Sequence, residues 1–152
     1  MEIGQGGILK RGYNEGFTLI ETIVVMTILA IGLAIAVPNF MAMGRSNAIK
    51  AEARKLKNVL AKTRMDAVEL NQSLTVTINT AANNCTVSVT GGADISTTHF
   101  DRVQLASVPD PLSIVWDTKG MTTTNCTISL VGTEATYRVI VSLAGNIRID
   151  KI

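Results

Sequence analysis

The chain holds one histidine, two cysteines and six aromatic residues among 152, and its net charge is only +2. Each scarcity removes a class of function. His99 stands alone in a threonine-rich stretch with no cluster of Cys, Asp and Glu at metal-ligand spacing, which makes it a surface histidine and not a ligand. Asp94, Asp101, Asp110 and Asp117 are expected in loops and lack a Ser–His or Lys partner pattern, while Gly91 and Gly92 suit a turn better than a phosphate cradle. No catalytic constellation can be built from these residues, so the chain reads as a non-enzyme with no cofactor and no metal. Trp116, the single tryptophan, reads as an anchor in the core or at its edge, since large aromatics bury much apolar area. The small net charge gives no broad electrostatic case for nucleic acid, but seven of the 14 basic residues fall between Arg45 and Arg64, interleaved with apolar positions.

What is present begins with a leader. "MEIGQGGILKRGYNEG", residues 1–16, is glycine-rich, aperiodic and tipped by Lys10 and Arg11, and it is excluded from the fold. From Phe17 to Val37 the chain is almost wholly apolar. As a helix these 21 residues rise about 31 Å, close to the roughly 30 Å hydrocarbon core of a bilayer. Glu21 breaks the run. One explanation is a helix cap, because Thr18-x-x-Glu21 ahead of an apolar run is a capping-box pattern that sets the carboxylate at the positive end of the helix dipole. Another concerns the whole segment: "AIA" at 34–36 satisfies the small-x-small rule of an ordinary secretory signal, which would release a soluble product starting at Val37.

The leader ending in Gly16, then Phe17, then "TLIE" with Glu21 as the fifth residue, then an apolar helix containing Pro38, resembles the class III signal of type IV prepilins and type II secretion pseudopilins. The resemblance implies a prepilin peptidase that cuts between Gly16 and Phe17 and N-methylates Phe17. It also implies a partner for the buried carboxylate: in filaments of that family, Glu21 would meet the amino terminus of the neighbouring subunit and so select register during assembly. Before assembly, a position near the membrane edge keeps its cost below the roughly 2.5 to 3.5 kcal/mol of a mid-bilayer charge. Basic residues are sparse before the span, Lys10 and Arg11, and denser after it, where Arg45, Lys50, Arg54, Lys55 and Lys57 would place the following part in the cytoplasm by the positive-inside rule. The leader motif implies the opposite orientation, with the C-terminal part in the periplasm.

Ile49, Ala53, Leu56, Leu60, Thr63, Ala67 and Leu70 recur at spacings of four and three, a mostly apolar seam on a helix continuing past the span. Pro38, with Gly32 and Gly44, is expected to bend or locally melt that rod. From Ser73 the period changes to two. "LTVTI" (74–78), "CTVSV" (85–89), "CTISL" (126–130) and "YRVIV" (137–141) read as strands, and "YRVIVSL" with "IRIDKI" around Gly145 as a closing β-hairpin. The fold class is α+β: a long N-terminal helix, half transmembrane and half amphipathic, packed on an antiparallel β-domain, which matches the type IV pilin fold. The expected divisions are leader 1–16, filament-core helix 17–44, amphipathic helix 45–72 and β-domain 73–152.

"WDTKG" at 116–120 and the terminal "SLAGNIRI" look like the GspH/FimT-like branch of minor pilins and pseudopilins. DNA-binding members of that branch carry Gly-Arg-x-Arg in the last turn, where this chain has Gly145, Asn146, Ile147 and Arg148. Only Arg148 remains as a weak DNA contact, so DNA is not the favoured partner. The resemblance as a whole implies a minor subunit of a type IV pilus or type II secretion pseudopilus, anchored in the inner membrane before assembly. Its partners would be the prepilin peptidase, other major and minor pilins or pseudopilins, the inner-membrane assembly platform, and membrane lipid before assembly. In an oxidising periplasm the even cysteine count favours a Cys85–Cys126 disulfide over two lone thiols.

Overall fold

The computed structural model describes residues 17–107, 109 and 111–152; the leader with Gly16, and Asp110, lie outside them. Thr18 starts the helix. Its hydroxyl accepts the Glu21 amide at 3.3 Å and its carbonyl accepts the Thr22 amide at 3.2 Å, which makes Thr18 the N-cap. From there α1 runs Leu19–Glu69, 51 residues, unbroken through Pro38. The local melting expected at Pro38 is therefore not a feature of this helix, because the missing N–H deletes one bond and helical bonding holds on both sides of it.

The chain divides into two compact units, one ending at Asn39 and one spanning Phe40–Ile152. In the first, every described residue is exposed, including Ile20, Ile23, Leu29 and Ile35, and the helix is long and apolar enough to cross a membrane. In the second, Ile49, Ala53, Leu56, Leu60, Thr63 and Ala67 are buried in one face of α1, six of the seven seam positions. Leu70 is 59% exposed, because the helix has already ended. Asn71 takes a left-handed φ of 50°, its amide donates to the Val68 carbonyl and the Gln72 amide donates to Ala67, a Schellman stop with asparagine where glycine is usual.

The buried seam joins one hydrophobic core with residues from two four-stranded antiparallel sheets. The first sheet has the order β3-β2-β1-β5, from β1 (Leu74–Asn79), β2 (Asn84–Val89), β3 (Asp94–His99) and β5 (Leu112–Trp116). The second has the order β4-β6-β7-β8, from β4 (Gln104–Ala106), β6 (Cys126–Val131), β7 (Thr136–Val141) and β8 (Ile147–Lys151). The four strands expected from period two are β1, β2, β6 and β7, and the closing hairpin pairs Tyr137 with Lys151 through Val141 with Ile147. Asp94 is corrected from loop to strand, as the first residue of β3, which His99 ends, while Asp117 does lie in a turn. Trp116 ends β5 and is fully buried.

Two polar side chains hold these layers together. Asn83, with a φ of 50° in the turn after β1, donates through Nδ2 to the carbonyls of Phe100 and Val103 and accepts the Leu105 amide at 2.8 Å. One amide thus ties the first sheet to the strand that opens the second. Arg64 on α1 donates from Nε to the Gly120 carbonyl at 2.8 Å and from Nη1 to the Gly145 carbonyl at 2.9 Å. Both glycines have positive φ, 72° and 79°, a conformation that a side chain disfavours by about 1–2 kcal/mol. A Cβ at Gly145 would also stand 2.4 Å from the Gly120 carbonyl oxygen and 2.7 Å from Arg64 Nε. "WDTKG" and "SLAGN" are therefore two turns gathered by one arginine: Asp117 accepts the Lys119 and Met121 amides and shapes the first, and Ser142 accepts the Asn146 amide in the second.

Gly145→Ala combines the backbone penalty with displacement of Arg64, and it should destabilise the Phe40–Ile152 unit by about 2 kcal/mol or more. Thermal melting of the extracted protein should fall by several degrees, against a smaller change for Ala144→Gly at the exposed neighbouring position.

Candidate functional site

The apolar stretch of α1 returns its polar groups to its own backbone. Thr22 donates to the Thr18 carbonyl at 3.3 Å, Thr27 to the Ile23 carbonyl at 2.8 Å and the Asn39 side chain to the Ile35 carbonyl at 3.3 Å. A polar side chain bonded this way tolerates a lipid or protein interior. Glu21 differs. Its amide is taken by Thr18, but among the described residues nothing hydrogen-bonds or ion-pairs with its carboxylate, which is exposed on the first turn amid Leu19, Ile20 and Ile23. The capping-box reading is half realised: Thr18 caps the Glu21 amide, and the reciprocal bond from the carboxylate is not made. Phe17 precedes the cap and is 84% exposed.

The other residues singled out in the sequence do not gather at Glu21. Arg148 lies on β8, exposed, with Asp150 3.6 Å away. Gly145 of the same hairpin is buried against Arg64 and Gly120, so that glycine serves the fold. Arg64 was hidden from sequence reasoning inside a run of basic residues; the only signal was its position at the edge of the seam, three residues before Ala67. Among the described residues no group of three His, Cys, Asp or Glu could hold a metal ion.

Cys85 lies in β2 of the first sheet and Cys126 in β6 of the second, both buried and both free. The expected bridge is not formed in this structure: an even count fixes no distance between the two sulfurs. Burial pushes the Cys85 thiol from 9.0 up to about 12 and the Cys126 thiol up to about 11, since a thiolate there would lose its water with no charge to replace it. Folding favours the protonated thiols, so their contribution is fully present below the unfolded-state value and is lost as pH rises from about 9 toward 11 and 12. Stability should therefore fall on alkalinisation more steeply than in the Cys85→Ala/Cys126→Ala variant. Maleimide should label neither cysteine quickly in the folded protein and both after denaturation without reductant; a disulfide in their place would overturn the assignment.

Residues 11–37 match the prokaryotic N-terminal methylation motif family. No curated protein matches the chain in sequence. Two crystal structures of the type IV minor pilin FimU of Pseudomonas aeruginosa are similar to it in fold. One has 15% identity over 69% of this chain and 90% of that one, with a TM-score of 0.59; the other has 14% identity over 66% and 91%, with a TM-score of 0.57. The minor pseudopilin EpsH of the Vibrio cholerae type 2 secretion system is similar at 18% identity over 67% of this chain and 95% of that one, with a TM-score of 0.56. The chain thus carries a prokaryotic N-terminal methylation motif and, behind it, the fold that type IV minor pilins and minor pseudopilins have in common.

Proposed function

We propose that the chain is a minor structural subunit of a type IV pilus or a type II secretion pseudopilus, an assembly protein and not an enzyme. Its apolar helix holds it in the inner membrane with the β-domain in the periplasm until it enters the filament. The observation that carries this reading is Glu21, an unpartnered carboxylate on a helix whose other polar groups are bonded internally. A buried carboxylate demands a cation, and removal of the leader after Gly16 creates one at Phe17 on every neighbouring copy or homologous subunit. Prepilin peptidase, sister pilins or pseudopilins, the assembly platform and membrane lipid are the partners this life cycle requires.

Two other readings gain less support. Ordinary signal cleavage after Ala36 would cut inside the unbroken α1. DNA capture by the last turn would rest on Arg148 alone, beside Asp150, with Asn146 where an arginine would be needed.

Intact mass of membrane-extracted protein should show loss of the 16-residue leader plus one methyl group. A mature chain that begins anywhere but Phe17 would exclude the class III route. Glu21→Ala should leave cleavage and insertion intact while removing about 3–5 kcal/mol from helix–helix assembly, the usual loss when one member of a buried pair is deleted. Recovery of the variant in sheared or purified filaments at the wild-type level would reduce Glu21 to a helix-end charge.

A further inference from the structure

Residues 22–44 carry no charge, so Arg45 is the first charged side chain after Glu21. Around it three elements enclose a groove. The β6–β7 turn is seated on α1: a Cβ at Gly132 would stand 2.3 Å from Ile49 Cδ1, and with none there the turn comes close enough for Arg45 Nε to donate to Glu134 Oε1 at 2.8 Å. The loop from β3 to β4 supplies the third side. Its Phe100 and Val103 are buried, and the carbonyls of both accept from Asn83 Nδ2, which fixes the backbone on either side of Arg102 and leaves the Arg102 side chain exposed. The groove, of about 480 Å³, is lined by apolar Met41, Ala48 and Ile49 and by polar Arg45, Arg102 and Thr133.

Two guanidinium groups thus reach one groove from different elements. Arg45 commits Nε to Glu134, and its Nη groups donate to no described residue; Arg102 makes no ion pair with any described residue. Glu134, on Arg45, and Asp101, beside Arg102 in sequence, do not line the groove. Planar forks next to an apolar wall match a phosphodiester that carries a hydrocarbon chain.

The source of that phosphate follows from distance along the chain. Met41 lies four residues beyond Val37, at most about 14 Å of chain in any conformation, and the headgroup layer on each side of the hydrocarbon core is about 5–8 Å deep. Phe40 and Met43, 78% and 62% exposed, carry the apolar surface to within two residues of Arg45, and helix side chains lean toward the N-terminus, which turns Arg45 back toward Met41. A lipid phosphate is within reach of the groove for as long as the chain stays in the bilayer, whereas an acidic side chain of another protein has to be brought to it. A headgroup that also bears an ammonium would set that cation against Arg102. We propose, resting on the membrane-anchored reading above, that this groove binds one anionic phospholipid, with its phosphate on Arg45 and Arg102 and an acyl chain along Met41.

The test uses full-length protein extracted from its own membrane in detergent, stripped of lipid and titrated with dioleoylphosphatidylglycerol or dioleoylphosphatidylcholine, the bound lipid being counted by native mass spectrometry. One phosphatidylglycerol per chain should be retained, with a preference of about tenfold over phosphatidylcholine. Arg102→Glu should abolish the preference at an unchanged melting temperature. Lys119→Glu, the same charge change at an exposed position in the turn held by Arg64, should leave it intact. No bound lipid, equal retention of the two lipids, an equal loss in both variants, displacement of the lipid by millimolar inorganic phosphate, or co-extraction of another protein that Arg102→Glu releases while no lipid is bound would each overturn the lipid site. The membrane reading fails separately, and takes the site with it, if the protein is recovered in the soluble fraction without detergent.

Discussion

A helix apolar on all sides leaves its polar groups nothing to bond but its own backbone, and the first part of α1 is built under that constraint. Thr22, Thr27 and Asn39 comply by donating to carbonyls within the preceding turns. A carboxylate has no proton to donate to a carbonyl, and the one backbone partner open to Glu21, the Thr18 amide of the capping box, is left unused. Glu21 is thus held in a state that is tolerable at a water boundary and costly in an apolar one, unless a cation arrives from outside the chain. The same helix obeys a different rule after Phe40, where the seam from Ile49 to Ala67 is buried and charge is confined to the other sides.

The sequence was most legible where one face is wet and the other dry. Alternation revealed β1, β2, β6 and β7, and the four–three spacing revealed the seam up to Ala67. It overran by one position, Leu70, because an asparagine stop at Asn71 gives a weaker signal than glycine. β3 was illegible for a physical reason: an edge strand with almost every residue exposed has no hydrophobic alternation to read, and Ile95 is 57% exposed. β4 has three residues, too few to display a period. β5 does alternate, "LSIVW", but lies between Pro111 and a motif that drew attention to Trp116 alone.

The candidate site divided in the same way. Glu21 was legible because a charge in an apolar run is an anomaly visible without coordinates. Arg64 and Asn83 were not, since their importance comes from acceptors far away in sequence: Gly120 and Gly145 for one, Phe100 and Val103 for the other. The two cysteines show the reverse case: an even count suggested a pair but carries no distance between the two sulfurs, which stand free in strands of different sheets.

The Arg64 contacts also bear on the order in which the chain can mature. Their acceptors lie 56 and 81 residues downstream, so the amphipathic part of α1 is synthesised long before the turns that seat it exist. Contacts of such high sequence separation form late and slowly. Until the last hairpin closes, the seam has only part of its cover and the helix keeps a face open to chaperones and proteases. A chain truncated before Gly145 never acquires the second carbonyl, which leaves the Arg64 guanidinium held by the Gly120 turn alone.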